Sequence, residues 1–577
     1  MHRAFDSEDI VYSVLKYIKP KDLKNVAMTC SQLAGPALNI LWSKRPSLVP
    51  LLLCLPQDAL NIPWDDYYPK INFAREPTPS EWERVRINAS RVRRLIALIP
   101  DPYTGYGRKR LTDLYVSDLA ARRLFEQFPP TTLFPNLHTF DSNALLENTL
   151  LEANGTLKEI QTRPDLSLIR KFMSPGLETF MLDISAHSPS HEVEEFLGAL
   201  PIEAPGLRQL SISMDEGRMA FVVLPNFGKL PKLFALTIRR VDVGLTRQTI
   251  TNMQQAWCLN TLELSLHGTS YDSGVMALEL TSLERLSLSG DVLQQCTHFI
   301  RQITTPQLSD VEIEYRQRAS PIEITVLFKS LSKSCQNYEA LKKIYVLDAE
   351  YVQHAEPVIP LPSEVFRPLL KFTGLLSVVI ENIGNYHLDN SFINDISNAW
   401  AGIQELRFGS HRPAGRDVTF TAMMSLATKC QSLKNLNLTC DASQPVVPED
   451  EDGTEILWPV QTALRKLHFG YSYVPQVACI PYILSKVFPT LRLNRLNWYT
   501  YVGVPHPLSL MNPHALSEIT EQLFELRTLA GKEIYDERHD SDSDWEIWEE
   551  EEEEEEEWEE REREPWVDSE ESDRMSF

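Results

Sequence analysis

The spacing L-x-x-L-x-L dominates the hydrophobic pattern from about residue 137 to residue 498. Clear copies start at Leu177 (then Phe180, Leu182), Leu207 (Leu210, Ile212), Leu233 (Leu236, Ile238), Leu259 (Leu262, Leu264), Leu283 (Leu286, Leu288) and Leu308 (Val311, Ile313). Others start at Leu341 (Ile344, Val346), Leu375 (Val378, Ile380), Ile403 (Leu406, Phe408), Leu433 (Leu436, Leu438), Leu464 (Leu467, Phe469) and Leu493 (Leu496, Trp498), with weaker ones at Leu137 and Leu157. The last two apolar positions of each copy lie two residues apart, so they point to one side of a short strand. The first, three residues earlier, turns the chain into that strand. Segments between copies carry helical patterns such as His191–Leu200.

A unit of this kind covers its leucines only when neighbours stack on it. The pattern therefore predicts an α/β solenoid with a parallel concave sheet. Its mean period of about 27 residues lies in the leucine-rich-repeat range. The Asn or Cys that usually follows the strand is missing from most copies, as in Ser287–Asp291, which marks an irregular subclass.

Ahead of the repeats the period becomes helical. Asp6 or Ser7 can cap a helix with Ile10, Val14, Leu15 and Ile18 on its apolar face, ended by Pro20. A second helix opens at Asp22-Leu23 and runs through Val26, Ala27 and Cys30; Leu33, Ala37, Leu38, Leu41 and Trp42 continue a third. So small a module makes a marginal core and usually leaves an apolar face for a partner. Thr78-Pro79-Ser80-Glu81 is a capping box with proline at the first helical position. It predicts a helix with Trp82, Val85, Ala89, Val92 and Ile96 on one face, a packing element rather than a flexible tether. The domain reading is a helical module at 1–45, a helical linker at 46–130, repeats with a C-terminal cap at 131–535 and a tail at 536–577.

The segment Ile10-Val-Tyr-Ser-Val-Leu-Lys-Tyr-Ile-Lys-Pro-Lys-Asp-Leu23, followed by Val26-Ala-Met-Thr-Cys30 and Leu41-Trp42, resembles the F-box. With Trp82-Glu-Arg-Val85 and Arg91-Val-Arg93 ahead of irregular leucine-rich repeats, the chain is similar to a large class of fungal F-box proteins over residues 5 to about 500. It departs from them in having Ala4-Phe5-Asp6 where the family usually has Leu-Pro. The resemblance implies a substrate-recognition subunit of an SCF-type ubiquitin ligase. In that reading Ile10, Val14, Pro20, Leu23, Val26, Leu41 and Trp42 contact the adaptor subunit, which leads to a cullin, and the repeats hold a protein substrate. A scaffold or sensor with a vestigial F-box is the alternative.

Strand positions that alternate with the leucines face outward. Asp310, Glu312 and Glu314 give an acidic strip there. Arg407, Lys466, His468, Arg495, Asn497 and Tyr499 give a mildly basic end with one aromatic, the expected substrate-binding surface.

Charge adds a further element. The 577 residues carry a formal −24, of which −18 falls between residues 540 and 577, where 21 acidic residues face three arginines. The body is thus nearly balanced, and overall basicity gives no argument for nucleic acid. Nine consecutive glutamates, Glu549 to Glu557, predict a disordered tail. Trp545, Trp548, Trp558 and Trp566 suit docking on a basic partner, and a solubilising role is the alternative. Ser541, Ser543 and Ser569 precede acidic residues, a context that suits acidophilic kinases.

Catalytic and metal motifs are weak. Gly105-Tyr-Gly-Arg-Lys-Arg110 lacks the G-K-[ST] ending of a phosphate loop. His387-Leu-Asp389 and His354-Ala-Glu356 match two positions of an iron-binding triad, but only as short tripeptides. The eight cysteines form no C-x-x-C pair and read as reduced, buried thiols. The expectation is a non-enzyme without metal or cofactor. The longest apolar run, Leu48 to Leu55, is far shorter than the ~20 residues of a membrane span, so no membrane partner is expected and the reading is cytoplasmic or nuclear.

Overall fold

The structure is a computed structural model that describes residues 7–63, 69–97, 114–145, 147–153, 156–162, 166–184, 189–214, 219–221, 227–243, 253, 255–266, 278–349, 360–409, 417–442, 458–469, 472, 479–492, 496–497 and 515–529. Two compact units are formed, one taking in residues up to 185 and 191–207, the other residues 208–535. The acidic tail, Gly105–Arg110 and the His354–Glu356 tripeptide lie outside the described residues.

In the first unit, helices α1 (Glu8–Leu15), α2 (Pro20–Thr29) and α3 (Ser31–Ser43) pack through Val11, Leu15, Leu23 and Ala37. Ile18, Val26, Ala27, Leu33, Ile40 and Leu41 surround that centre. Ser7 holds the N-cap position of α1 in extended backbone, without a side-chain capping bond. Pro20 begins α2 rather than merely ending α1, at a position where its missing N–H costs no helical bond.

α3 leads directly into the strand Lys44–Arg45, which pairs in parallel with Arg94–Leu95. Arg94–Leu95 pairs with Thr139–Asp141, and Thr139–Asp141 with Thr179–Ile184. Val92 and Leu95, both fully buried, are thus a repeat start that valine hides from a leucine search. The Pro79–Ala89 helix opens where the capping box predicts, with the Thr78 N–H donating to Glu81 at 2.7 Å, and it buries Trp82, Val85 and Ala89. It ends at Ala89, so Val92 and Ile96 are not on its face as expected. The interval 46–130 also holds the strands Leu60–Asn61, Lys70–Phe73 and Tyr115–Val116, so it is mixed rather than helical. The weak copy at Leu157 is not a repeat. Glu147–Ala153 and Thr156–Thr162 pair antiparallel, and Asn154-Gly155 between them is a strong hairpin signal.

In the second unit a parallel sheet runs through Gln209–Met214, Ala235–Arg239, Thr261–Ser265, Arg285–Val292, Asp310–Gln317, Lys343–Asp348, Ser377–Glu381, Glu405–Gly409, Asn435–Asn437, Lys466–His468 and Leu496–Asn497. The repeat leucines are in register: Leu236, Leu262, Leu286, Val311, Ile344, Val378, Leu406, Leu436 and Leu467 form one row across it. From the Leu177 copy to the Leu464 copy, all three apolar positions of every copy are at most 2% exposed. Full burial of one such side chain is worth about 1.5–3 kcal/mol. Successive units therefore hold one another, because each supplies the cover its neighbour lacks.

Helices Leu293–Gln302, Pro321–Ser334, Asn390–Ala399, Phe420–Lys429 and Cys479–Val487 close one side of this sheet, and aromatic rings fill wider gaps, with Phe366 in contact with Phe328, Tyr386, Phe392 and Phe408. Ala515–Leu529 packs on Cys479–Val487. These are leucine-rich repeats. Among the described residues no helix is long and apolar enough to cross a membrane.

Candidate protein-binding surfaces

The helical module sorts its apolar residues into two groups. Val11, Leu15 and Leu23 close the core, whereas Ile10 (46% exposed), Val14 (48%) and Tyr17 (80%) form an outward stripe on α1 and its C-terminal extension, at spacings of four and three. Met28 of α2 is 74% exposed. Of the residues expected to contact an adaptor, Ile10, Val14 and Pro20 are exposed, Val26, Leu41 and Trp42 half-buried, and Leu23 buried at 2%. Leu23 is therefore a correction: its side chain holds the three helices together and is covered by them. Trp42 lies under the Arg45 guanidinium, 4.4 Å from its ring, which ties the end of α3 to the first strand.

On the second unit, the strand side chains that alternate with the buried leucines make the open face of the sheet. Strand register gives its central row as Glu263, Ser287, Glu312, Tyr345, Val379, Arg407, Asn437 and His468. Several of its charges are matched. Arg239 bonds Glu263, Lys343 lies 3.7 Å from Asp310, and Arg407 pairs with Glu381 and, at 3.8 Å, with Glu405. Glu312 and Glu314 have no ion-pair partner among the described residues. Tyr345 stands next to Glu312 in the row, with half-buried Leu347 and buried Val379 beside it. Burial, then the charges of Glu381 and Glu312, push its phenol up, so it stays a neutral donor. The patch Tyr345–Leu347–Val379, flanked by Glu312, Glu314 and Glu381, is not among the positions the sequence pattern singles out. Its residues are apolar like the leucines, and their odd register relative to Ile344 and Val346 was the available signal.

The basic end reads differently in three dimensions. Burial first, and then Arg407, lower the His468 imidazole to about 4, so it is uncharged at neutral pH. Arg407 is neutralised by its two glutamates. Lys466 is half-buried on the same face. The backbone of Asn497 pairs with His468, while Arg495 and Tyr499 lie outside the described residues. The expected positive surface is therefore reduced to Lys466 among the described positions, and the open face is net acidic around Glu312 and Glu314.

Chemistry-bearing groups are occupied structurally. Asp389 of the His387-Leu-Asp389 tripeptide caps a helix, accepting from the Phe392 N–H at 2.7 Å and from the Ser363 hydroxyl at 3.0 Å. No group of three or more His, Cys, Asp or Glu among the described residues is placed to hold a metal ion. Burial pushes the thiols of Cys296, Cys335 and Cys440 up to about 12, so they are protonated and poor nucleophiles. Cys30, Cys54 and Cys258 are only half-buried, contrary to the expectation for all eight.

No protein-family model matches the sequence, and no curated protein is matched by it. Solved structures similar to parts of the chain include an internalin (inlF) of Listeria monocytogenes, 14% identical over 60% of this chain and 81% of that one, with a TM-score of 0.32. TLR13 in complex with ssRNA13 is 13% identical over 56% of this chain and 55% of that one, TM-score 0.24. The plant peptide hormone receptor RGFR1 in complex with RGF2 is 12% identical over 56% and 48%, TM-score 0.25.

Proposed function

We propose that the chain is a non-catalytic recognition subunit of an SCF-type ubiquitin ligase. The three-helix module acts as the F-box and docks the adaptor, which leads to a cullin, and the open face of the repeats binds the protein to be modified. The observation that carries the reading is the outward stripe Ile10, Val14 and Tyr17 on helices whose core is already closed by Val11, Leu15, Leu23 and Ala37. An apolar stripe left over after the core is complete suits a partner surface, and it coincides with the segment that resembles the F-box. On the repeats, Glu312, Glu314 and Tyr345 suit a cationic, aromatic-tolerant segment, with Arg407 and Lys466 on the side towards Asn497.

The mechanism is proximity. A substrate held on the repeats meets the conjugating enzyme as an effectively intramolecular partner, with no residue of this chain taking part in bond making. The test is the affinity of the purified full chain for the adaptor subunit. Ile10→Glu with Val14→Glu is expected to weaken it by orders of magnitude while the melting temperature stays in place. Unchanged affinity in the folded double variant, or none in the wild type, sinks the ligase reading and leaves a leucine-rich-repeat scaffold.

A further inference from the structure

A third surface is the edge of the repeats where each helix ends and the chain returns to the sheet. Among the described residues six elements of the second unit carry a cation in their last turn: Lys229, Arg301, Lys333, Lys371, Lys429 and Lys486. A cation there complements the negative end of the helix dipole. That accounts for one per helix, but not for Lys329 a turn earlier, nor for Lys342, Lys434 and Arg465 at the strand starts.

At the end of the Pro321–Ser334 helix, Lys329, Lys333 and Lys371 converge on a hollow of about 440 Å³ also lined by Ser332, Cys335, Gln336 and Tyr338. None of these three lysines has a carboxylate within ion-pair distance among the described residues. Their neighbours on this edge bond neutral oxygens: Lys342 the Glu339 carbonyl at 2.7 Å, Lys429 the Asn394 amide at 2.8 Å, Arg465 the Thr462 carbonyl at 2.7 Å. Tyr338 is 39% exposed, its ring held edge-on by Phe372 at 5.6 Å, and offers an aromatic wall. Cations repeated along the edge, with an aromatic among them, fit an extended acidic strand that carries aromatics.

The same chain carries an acidic segment with spaced tryptophans. We propose that the acidic segment 540–577 docks in cis on this lysine-lined edge, with Glu549–Glu557 along the cations and the flanking tryptophans against Tyr338 and the lysine stems. Its net charge of −18 and the spacing of Trp545, Trp548, Trp558 and Trp566 around the glutamate run complement both features of the hollow. The reach is sufficient. Ala515–Leu529 packs on Cys479–Val487, at the far end of the same repeats. The stretch from Leu529 to Glu549 spans up to about 66 Å when extended. Four repeat steps from Lys466–His468 back to Lys343–Asp348 cover about 40 Å even at the spacing of packed helices. Tethering sets the local concentration on the order of millimolar, so modest contacts suffice. This inference does not rest on the ligase reading.

Zero-length carbodiimide coupling of the full-length monomer, read by mass spectrometry, tests it. Amide links from the carboxylates of 546–564 to Lys329, Lys333 or Lys371 are expected, and moderate salt should remove them. Lys329→Gln, Lys333→Gln and Lys371→Gln together should speed tryptic cutting at Arg561 and Arg563 several-fold while the melting temperature is retained. Links spread over lysines in proportion to exposure, links concentrated at Lys466, or links found only between two molecules each overturn the proposal. So does an unchanged cutting rate in the triple variant.

Discussion

Leu23 at 2% exposure and Val14 at 48% stand on adjacent helices of one module and predict opposite phenotypes. Leu23→Ala removes a core contact and should destabilise the module by about 2–5 kcal/mol, read by denaturant unfolding. Val14→Glu should leave unfolding unchanged and act only on binding. His468 gives a pH prediction. Its folded-state pKa, about 4, lies below its ordinary value because burial and Arg407 disfavour the imidazolium. Between the ordinary value near 6.5 and about 4 the unfolded chain holds the extra proton, so this residue makes stability fall as pH drops through that window and leaves it flat above. His468→Gln should flatten the slope of the urea midpoint between pH 6.5 and 4. An unaltered slope would show that other groups set it.

At the scale of elements, the buried leucine triplets show why strands were the readable part. Each position is fixed by spacing alone, and each strand that carries a leucine triplet, from Thr179–Ile184 to Lys466–His468, begins at the residue that precedes the second apolar position. What spacing could not show is substitution within the motif. Val92 in place of leucine concealed a strand, and Leu157 mimicked one inside a hairpin. The binding surfaces were less legible, because exposure depends on which neighbour covers a side chain. Leu23 and Ile10 read alike in sequence, and Arg407 and His468 lose their positive character only through Glu381, Glu405 and burial. Crossovers are as tightly set as strands. A Cβ at Gly374 would collide with the Glu339 carbonyl of the preceding repeat. Gly374→Ala should therefore cost about 1–3 kcal/mol through forced separation of the two turns. An equal melting temperature for that variant would mean that the crossover yields.

At the scale of the whole molecule, the proposed roles fall on two units. In the first, α3 continues into the strand Lys44–Arg45 and its parallel partners, so the helical module is anchored by backbone pairing instead of hanging on a tether. In the second, the helical side and the open face offer different charge, so a basic partner on Glu312 and Glu314 and an acidic segment on Lys329, Lys333 and Lys371 need not compete. The proposed ligase role requires that α1 to α3 form the docking end. Hydrogen–deuterium exchange of the full chain, with and without a saturating amount of the SCF adaptor subunit, tests it most directly. Added protection is expected in residues 7–45, with the strands of residues 208–492 unchanged. No added protection, or protection confined to the repeats, would contradict it.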